Sequence, residues 1–283
     1  MKIIDGRALA KVIKDKIVLD IKSLNGPRPG LAIILVGERA DSALYVGLKE
    51  KQAKEVGIDT HVYRCDEDIT EEQMLEMIDF LNKDKEVDAI LVQLPLPKNL
   101  NTNKIVNTIA PEKDVDGFTE KNLAKLMDPK QISSAIMPPV YGVIFAMLSS
   151  LELDLRNKKI VIIGNSEIFE GNLAEILKRQ GAETVLADKK DPNLKTTTLN
   201  ADIIITAIGQ AGYLTGEMLK PHSVIIDIGI STMADGSITG DVKFSDTEKI
   251  EGYITPVPGG VGPMTIAMAF WNTLEIFKKY RLK

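Results

Sequence analysis

Tyr45 and Lys49 stand four residues apart in Ser42 to Gly57, S-A-L-Y-V-G-L-K-E-K-Q-A-K-E-V-G. On a helix this spacing sets both side chains on one face, one turn from each other. An aromatic ring beside an amine can hold a flat ring system and move a proton at it. A lone helical lysine is ordinarily a solvated surface residue, so the reading gains its weight from other stretches of the chain. Asp41 or Ser42 is the expected cap of this helix and Gly57 its expected end.

Four further stretches carry residues suited to chemistry. In V-Q-L-P-L-P, Gln93 closes a strand-like run just before Pro95 and Pro97. Open α/β sheets bind ligands at that edge, although such an amide can equally satisfy loop backbone. K-D-V-D-G-F sets Asp114 and Asp116 one residue apart before Gly117. The spacing alone does not separate a catalytic or metal-binding pair from a capped turn. In I-V-I-I-G-N-S, Gly164, Asn165 and Ser166 follow a strand, and a helix is expected after Gly171. A glycine there lets backbone N–H groups approach a pyrophosphate at the positive end of the helix. Asp188 lies 24 positions beyond Gly164, at the end of the next strand, where dinucleotide folds place a ribose contact. G-N-S-E-I-F-E-G is not G-x-G-x-x-G, so an ordinary strand–helix turn fits it as well. Pro256 to Pro263 packs three glycines and three prolines into eight residues, a stiff loop whose backbone can lie against a flat ligand.

The elements that must position these residues follow from periodicity. Helical spacing from Asp5 to Ile21 opens the chain. Strands are expected over 31–36, 60–64 and 88–94, with a helix over 74–81 entered by the Thr70–Gln73 capping box. That β-α-β-α-β order implies a parallel sheet covered by helices on both faces. Residues 101 to 136 are less regular, with short helices flanking the Asp114–Gly117 loop. Pro138-Pro139 opens a helix over 140–151. A second α/β series has strands at 159–163, 184–187, 202–206 and 223–228, a helix over 173–179 and a final helix over 265–280. The fold class is α/β in two domains.

The totals exclude several function classes. The chain has 283 residues, 44% hydrophobic and 27% charged, with a net charge of −5 that gives no basic footprint for nucleic acid. One cysteine, Cys65, and two histidines leave no internal disulfide and make a zinc site improbable, so no metal is expected. No apolar run reaches the length of a membrane span, and M-K-I-I-D-G lacks a signal-peptide core, so the expected location is cytoplasmic.

Taken together, I-D-G-R-A, S-A-L-Y-V-G-L-K-E-K, V-Q-L-P-L-P, P-E-K-D-V-D-G-F, D-I-G-I, G-D-V and T-P-V-P-G-G-V-G-P-M-T closely resemble the bifunctional methylenetetrahydrofolate dehydrogenase/cyclohydrolase family across nearly the whole chain. The resemblance implies a folate-binding catalytic domain over 1–137 plus 264–283 and a Rossmann-like NAD(P)-binding domain over 138–263, with a cleft between them. It assigns catalysis to Lys49, with Tyr45 stacking under the folate, Gln93 as the lysine's partner and Asp116 holding the pterin. Gly262 and Pro263 fall on the folate pocket, and Gly164, Asn165, Ser166 and Ile230 on cofactor contacts. Lys189 and Lys190 sit where cations could hold a 2′-phosphate, while Asp188 suits a free ribose hydroxyl.

The expected activity is oxidation of 5,10-methylene-tetrahydrofolate with NADP, NAD being possible, and hydrolysis of the methenyl product to 10-formyl-tetrahydrofolate. One-carbon metabolism, purine biosynthesis and a homodimer joined through the nucleotide domains are implied with it. Three departures lie on the cofactor side. The family's G-R-S reads Gly164-Asn165-Ser166, its P-C-T-P-x-G reads Met137 to Gly142, and its H-S reads Asp188-Lys189. They leave open a monofunctional NAD-dependent dehydrogenase, or a nucleotide- or folate-binding protein without turnover.

Overall fold

The computed structural model describes every residue but 25, 133, 134 and 283, and every described side chain but those at 40, 41 and 167. In chain order the first elements are β1 (Lys2–Ile3), α1 (Gly6–Ser23), β2 (Gly30–Val36), α2 (Ala40–Val56), β3 (Asp59–Cys65), α3 (Glu71–Lys83), β4 (Ala89–Val92), α4 (Thr102–Thr108), α5 (Glu120–Met127) and α6 (Pro139–Ser150). There follow β5 (Lys159–Gly164), α7 (Glu167–Arg179), β6 (Glu183–Ala187), α8 (Leu194–Leu199), β7 (Ile203–Ala207) and β8 (Ser223–Asp227). The short hairpin β9 (Ser231–Thr232) and β10 (Ile238–Thr239), then β11 (Gly252–Ile254) and α9 (Val261–Tyr280), complete the chain.

The chain divides into two compact units. One comprises Lys11–Pro139 and Ile266–Lys283, the other Met1–Ala10 and Val140–Thr265. The sequence reading placed residues 1–10 with the folate domain. In the structure residues 1–10 pack with the Val140–Thr265 unit, where Lys2 and Ile3 pair in parallel with Tyr253 and Ile254.

The Lys11–Pro139 unit is built on a parallel sheet in the order β3-β2-β4. Strand β2 is buried along its whole length, and its alternation divides the core. Leu31, Ile33 and Leu35 join Ile17 of α1, Val46 and Ala53 of α2, and Phe270 and Phe277 of α9. Ala32, Ile34 and Val36 join Met74, Ile78 and Leu81 of α3 and Ile105 of α4. A sheet covered on both faces is the arrangement its apolar strands require. The capping box that starts α3 is present, with Gln73 N–H donating to Thr70 Oγ1 at 3.2 Å and Thr70 N–H to Gln73 Oε1 at 2.9 Å.

The second unit holds a six-stranded parallel sheet ordered β1-β11-β8-β7-β5-β6. Its four long strands match the sequence reading, while β1 and β11 are too short to show a period. Strand order reverses at β5, which pairs with β6 on one side and β7 on the other. Open α/β sheets take ligands at the carboxyl ends of strands flanking such a point. Two helix starts differ from expectation. Helix α7 begins at Glu167, because Ser166 caps it and Gly171 is accommodated within it. Helix α9 begins at Val261, so Gly262 and Pro263 form its first turn rather than the end of a loop. Proline is tolerated there because first-turn N–H groups have no intrahelical partner.

Candidate active site

Helix α2 carries Tyr45 and Lys49 on one face. It starts at Ala40, with Arg39 in the cap position and no side-chain cap bond, so neither Asp41 nor Ser42 occupies the cap. The side chain of Asp41 lies outside the described residues. The glycine of the preceding turn, Gly37, ends β2 with φ of 74°, and only two residues then precede the helix. At the other end Gly57 takes the left-handed conformation expected of it, φ 89°, and its N–H closes the last turn.

Strand β4 delivers Gln93. Its backbone N–H donates to Ile34 O at 2.9 Å, continuing the ladder one residue past the strand. Its side-chain Nε2 donates to Leu94 O at 2.8 Å, which fixes the amide's orientation. The carbonyl end, Oε1, then accepts a hydrogen bond from Lys49 Nζ at 2.9 Å. A neutral acceptor aims the amine without adding a charge that would stabilise the ammonium.

The two carboxylates of K-D-V-D-G-F divide into two roles. Asp114 is buried and accepts from Gly117 N–H, Thr119 N–H and Asn122 Nδ2, each at 2.9 Å, so it ties the loop to the start of α5. Gly117 is required in this turn, with φ of 66° and a Cβ that would lie 2.6 Å from Ile136 O. Asn272 of α9, unnoticed in the sequence, donates from Nδ2 to Val115 O and Met137 O, both at 2.9 Å. The loop is thus held at both ends, with Asp116 close enough to Lys49 for each charge to act on the other.

The electrostatics of this pair are set by burial. Burial pushes the Asp116 carboxyl up to about 6; the Lys49 charge opposes that rise and the Asp114 charge adds to it. Burial also lowers the Lys49 ammonium, against the pull of Asp116. In each residue desolvation outweighs the mutual attraction, so burial sets the direction of both shifts. Such a site can move a proton near neutral pH.

The other sequence-predicted residues belong to the second unit. Gly262 and Pro263 lie in the first turn of α9. At the end of β5, Asn165 Nδ2 donates to Ile208 O, bridging the ends of β5 and β7 at the point where strand order reverses. Ser166 caps α7. Asp188 is exposed at the end of β6 and accepts from Lys190 N–H at 2.7 Å. Among the described residues no ion pair joins it to Lys189 or Lys190. Ile230 is 47% exposed beyond β8, open for contact with a flat ring.

Asp227 and Asp241 brace the loops beside Ile230. Asp241 accepts from Thr206 Oγ1 at 2.8 Å, Ile208 N–H at 2.6 Å and Gln210 N–H at 2.9 Å. Asp227 accepts from the N–H groups of Gly229, Asp241 and Val242. Burial lifts the Asp227 carboxyl to about 7. The motifs D-I-G-I and G-D-V contained this bracing, but their spacing does not disclose it.

A dinucleotide fits this edge in most respects: a reversal point in a parallel sheet, a glycine entering a helix, an acidic residue ending the next strand, and an exposed apolar side chain. Among the described residues no group of His, Cys, Asp or Glu is placed to hold a metal ion.

Comparison with known proteins decides the family. Residues 4–116 match the tetrahydrofolate dehydrogenase/cyclohydrolase catalytic domain, and residues 138–281 match the NAD(P)-binding domain of the same family. The chain belongs to this family. A relative from Geotalea daltonii, named bifunctional protein FolD, is 41% identical over 98% of this chain and 99% of its own. The structure of the bifunctional FolD methylenetetrahydrofolate dehydrogenase/cyclohydrolase from Campylobacter jejuni superposes with a TM-score of 0.93 at 39% identity, covering 99% of each chain. The enzyme from Trypanosoma brucei, solved with NADP cofactor and an inhibitor, gives 0.92 at 31% identity, covering 99% of this chain and 98% of the other. The α/β fold and its NAD(P)-binding domain are therefore those of the family.

Proposed function

We propose that this protein oxidises 5,10-methylene-tetrahydrofolate with NADP and hydrolyses the methenyl product to 10-formyl-tetrahydrofolate, with Lys49 as the base of the second step. The observation that carries this reading is the Lys49–Gln93 hydrogen bond of 2.9 Å beside Asp116. Bound nicotinamide supplies the hydride acceptor. Residues of the chain do the rest. Tyr45 offers a face for the pterin, and Asp116 accepts paired hydrogen bonds from its amino and N–H groups. In hydrolysis a water attacks the cationic amidine carbon, its oxygen bonding to that carbon as Lys49 Nζ takes one proton; the bond from that carbon to N5 then breaks, N5 takes the remaining hydroxyl proton, and the formyl group stays on N10. Burial favours the neutral amine this requires, and a cationic ligand favours it further.

The cofactor-side residues in this reading are Gly164, Asn165, Ser166, Asp188, Lys189, Lys190 and Ile230. NADP is supported by the Trypanosoma relative and by the adjacent lysines. NAD is the second reading, favoured by the exposed Asp188 carboxylate, which forms an ion pair with no lysine among the described residues and suits a free ribose hydroxyl. The reading further places 1–137 plus 264–283 around the folate and 138–263 around the dinucleotide. It includes Gly262 and Pro263 as lining for the folate and a homodimer joined through the nucleotide-binding units. It also includes a cytoplasmic location, supported by the single free Cys65, and supply of 10-formyl-tetrahydrofolate to purine biosynthesis.

The test is an assay of purified protein with methylene-tetrahydrofolate and each nicotinamide, following the reduced nicotinamide and the methenyl product separately. Formation of both, with the methenyl species then decaying, is expected. Reduced nicotinamide without methenyl decay beyond the uncatalysed rate would leave a monofunctional dehydrogenase.

A further inference from the structure

The turn between β5 and α7 is already occupied by a carboxylate of the chain itself. Glu170 stands one turn into α7, is only 9% exposed, and its Oε1 accepts the Ser166 N–H at 2.8 Å. The same oxygen lies 2.4 Å from where a Cβ on Gly164 would be, so it fills the space that the glycine leaves open. Its position is fixed from both sides. Glu170 N–H donates to Ser166 O at 2.9 Å, and the preceding residue, Phe169, accepts from Tyr141 OH at 2.8 Å while packing against that ring.

In dinucleotide folds the backbone N–H groups of this turn, and the open space over its glycine, receive the negative pyrophosphate. Here a fixed negative group takes both the donor and the space. From the proposed use of a nicotinamide dinucleotide, on which this step rests, we infer that Glu170 is the residue that sets cofactor affinity in this chain, by competing with the pyrophosphate for the Ser166 N–H and repelling it. The pyrophosphate is common to NADP and NAD. Glu170 therefore weakens both equally and leaves the choice between them to the Asp188–Lys190 segment.

Titration calorimetry of the full chain with NADP and with NAD, at low salt, tests this. Glu170→Gln keeps an oxygen acceptor for the Ser166 N–H and removes the charge, while Glu170→Gly frees both donor and space. Both variants should bind both dinucleotides at least about tenfold more tightly than the native chain, with the ratio of NADP to NAD affinity unchanged. The native-to-Gln difference should shrink as potassium chloride is raised, because screening weakens a repulsion. Equal or weaker binding by variants whose thermal midpoints match the native would overturn the inference and leave the cofactor reading intact. Binding of neither dinucleotide by any of the three proteins would overturn both.

Discussion

Asp116→Asn separates the cost of the site from its use. Raising the Asp116 carboxyl from its ordinary 3.8 to about 6 means that its ionised form is disfavoured in the folded protein. At about 1.4 kcal/mol per pKa unit the penalty approaches about 3 kcal/mol, and relaxation of a half-buried group brings the expected gain to roughly 1–3 kcal/mol. The sign follows from proton uptake. Below pH 4 the carboxyl is protonated folded and unfolded alike, and no penalty arises. Between pH 4 and 6 only the unfolded chain loses its proton, so native stability falls as pH rises. Above pH 6 the full penalty holds. Asparagine has no such dependence, so Asp116→Asn should be close to native in stability at pH 4 and more stable at pH 7.5, by roughly 3–8 °C in thermal midpoint. Folate binding should weaken much more than nicotinamide binding, because the amide cannot accept both pterin hydrogen bonds. The assay is a melting curve at each pH, paired with titration of both ligands. A variant less stable than native at pH 7.5, by the same margin as at pH 4, would refute the reasoning and give the carboxylate a plain structural role in its turn.

Two more outcomes are expected. Asn272→Leu removes the donors to Val115 O and Met137 O, leaving two carbonyls short of partners at about 1–3 kcal/mol each, and should raise the folate KM with the loss of stability; an unchanged melting point and KM would contradict this. Replacing Lys189 and Lys190 together by alanine should cost NADP selectivity with little change towards NAD in kcat/KM, whereas a native protein that already prefers NAD by about tenfold would show Asp188 making the choice.

Much of this architecture is legible in the chain. The alternation of Leu31 to Val36 sorts into two cores on opposite faces of the sheet, as a buried parallel strand must. Thr70 and Gln73 announce the start of α3, and Gly57 the end of α2. The start of α7 was hidden because an internal glycine reads as a break, whereas the cap at Ser166 outweighs a cost of about 1 kcal/mol for Gly171. The start of α9 was hidden by Gly262 and Pro263, which composition assigns to a loop and helix chemistry permits in a first turn. β1 is two residues long and gains meaning only from its pairing with β11, a contact across more than 240 positions.

At the site, spacing showed Tyr45 and Lys49 on one helix face but could not show that Gln93 reaches the amine. Nor did it separate the structural Asp114 from Asp116, which only the hydrogen bonds to Gly117, Thr119 and Asn122 do. Glu170 gave no signal, since the sequence reading starts the helix after Gly171 and leaves Glu170 in the turn, where a glutamate reads as an ordinary solvated residue.

The central claim is that Lys49 is the base that hydrolyses the methenyl group, and the most direct measurement is the decay of methenyl-tetrahydrofolate absorbance with Lys49→Met against the native protein. The account predicts a loss of at least about 10²-fold in the hydrolysis rate in a variant that still folds and still binds folate. Hydrolysis by that variant at the native rate would contradict it.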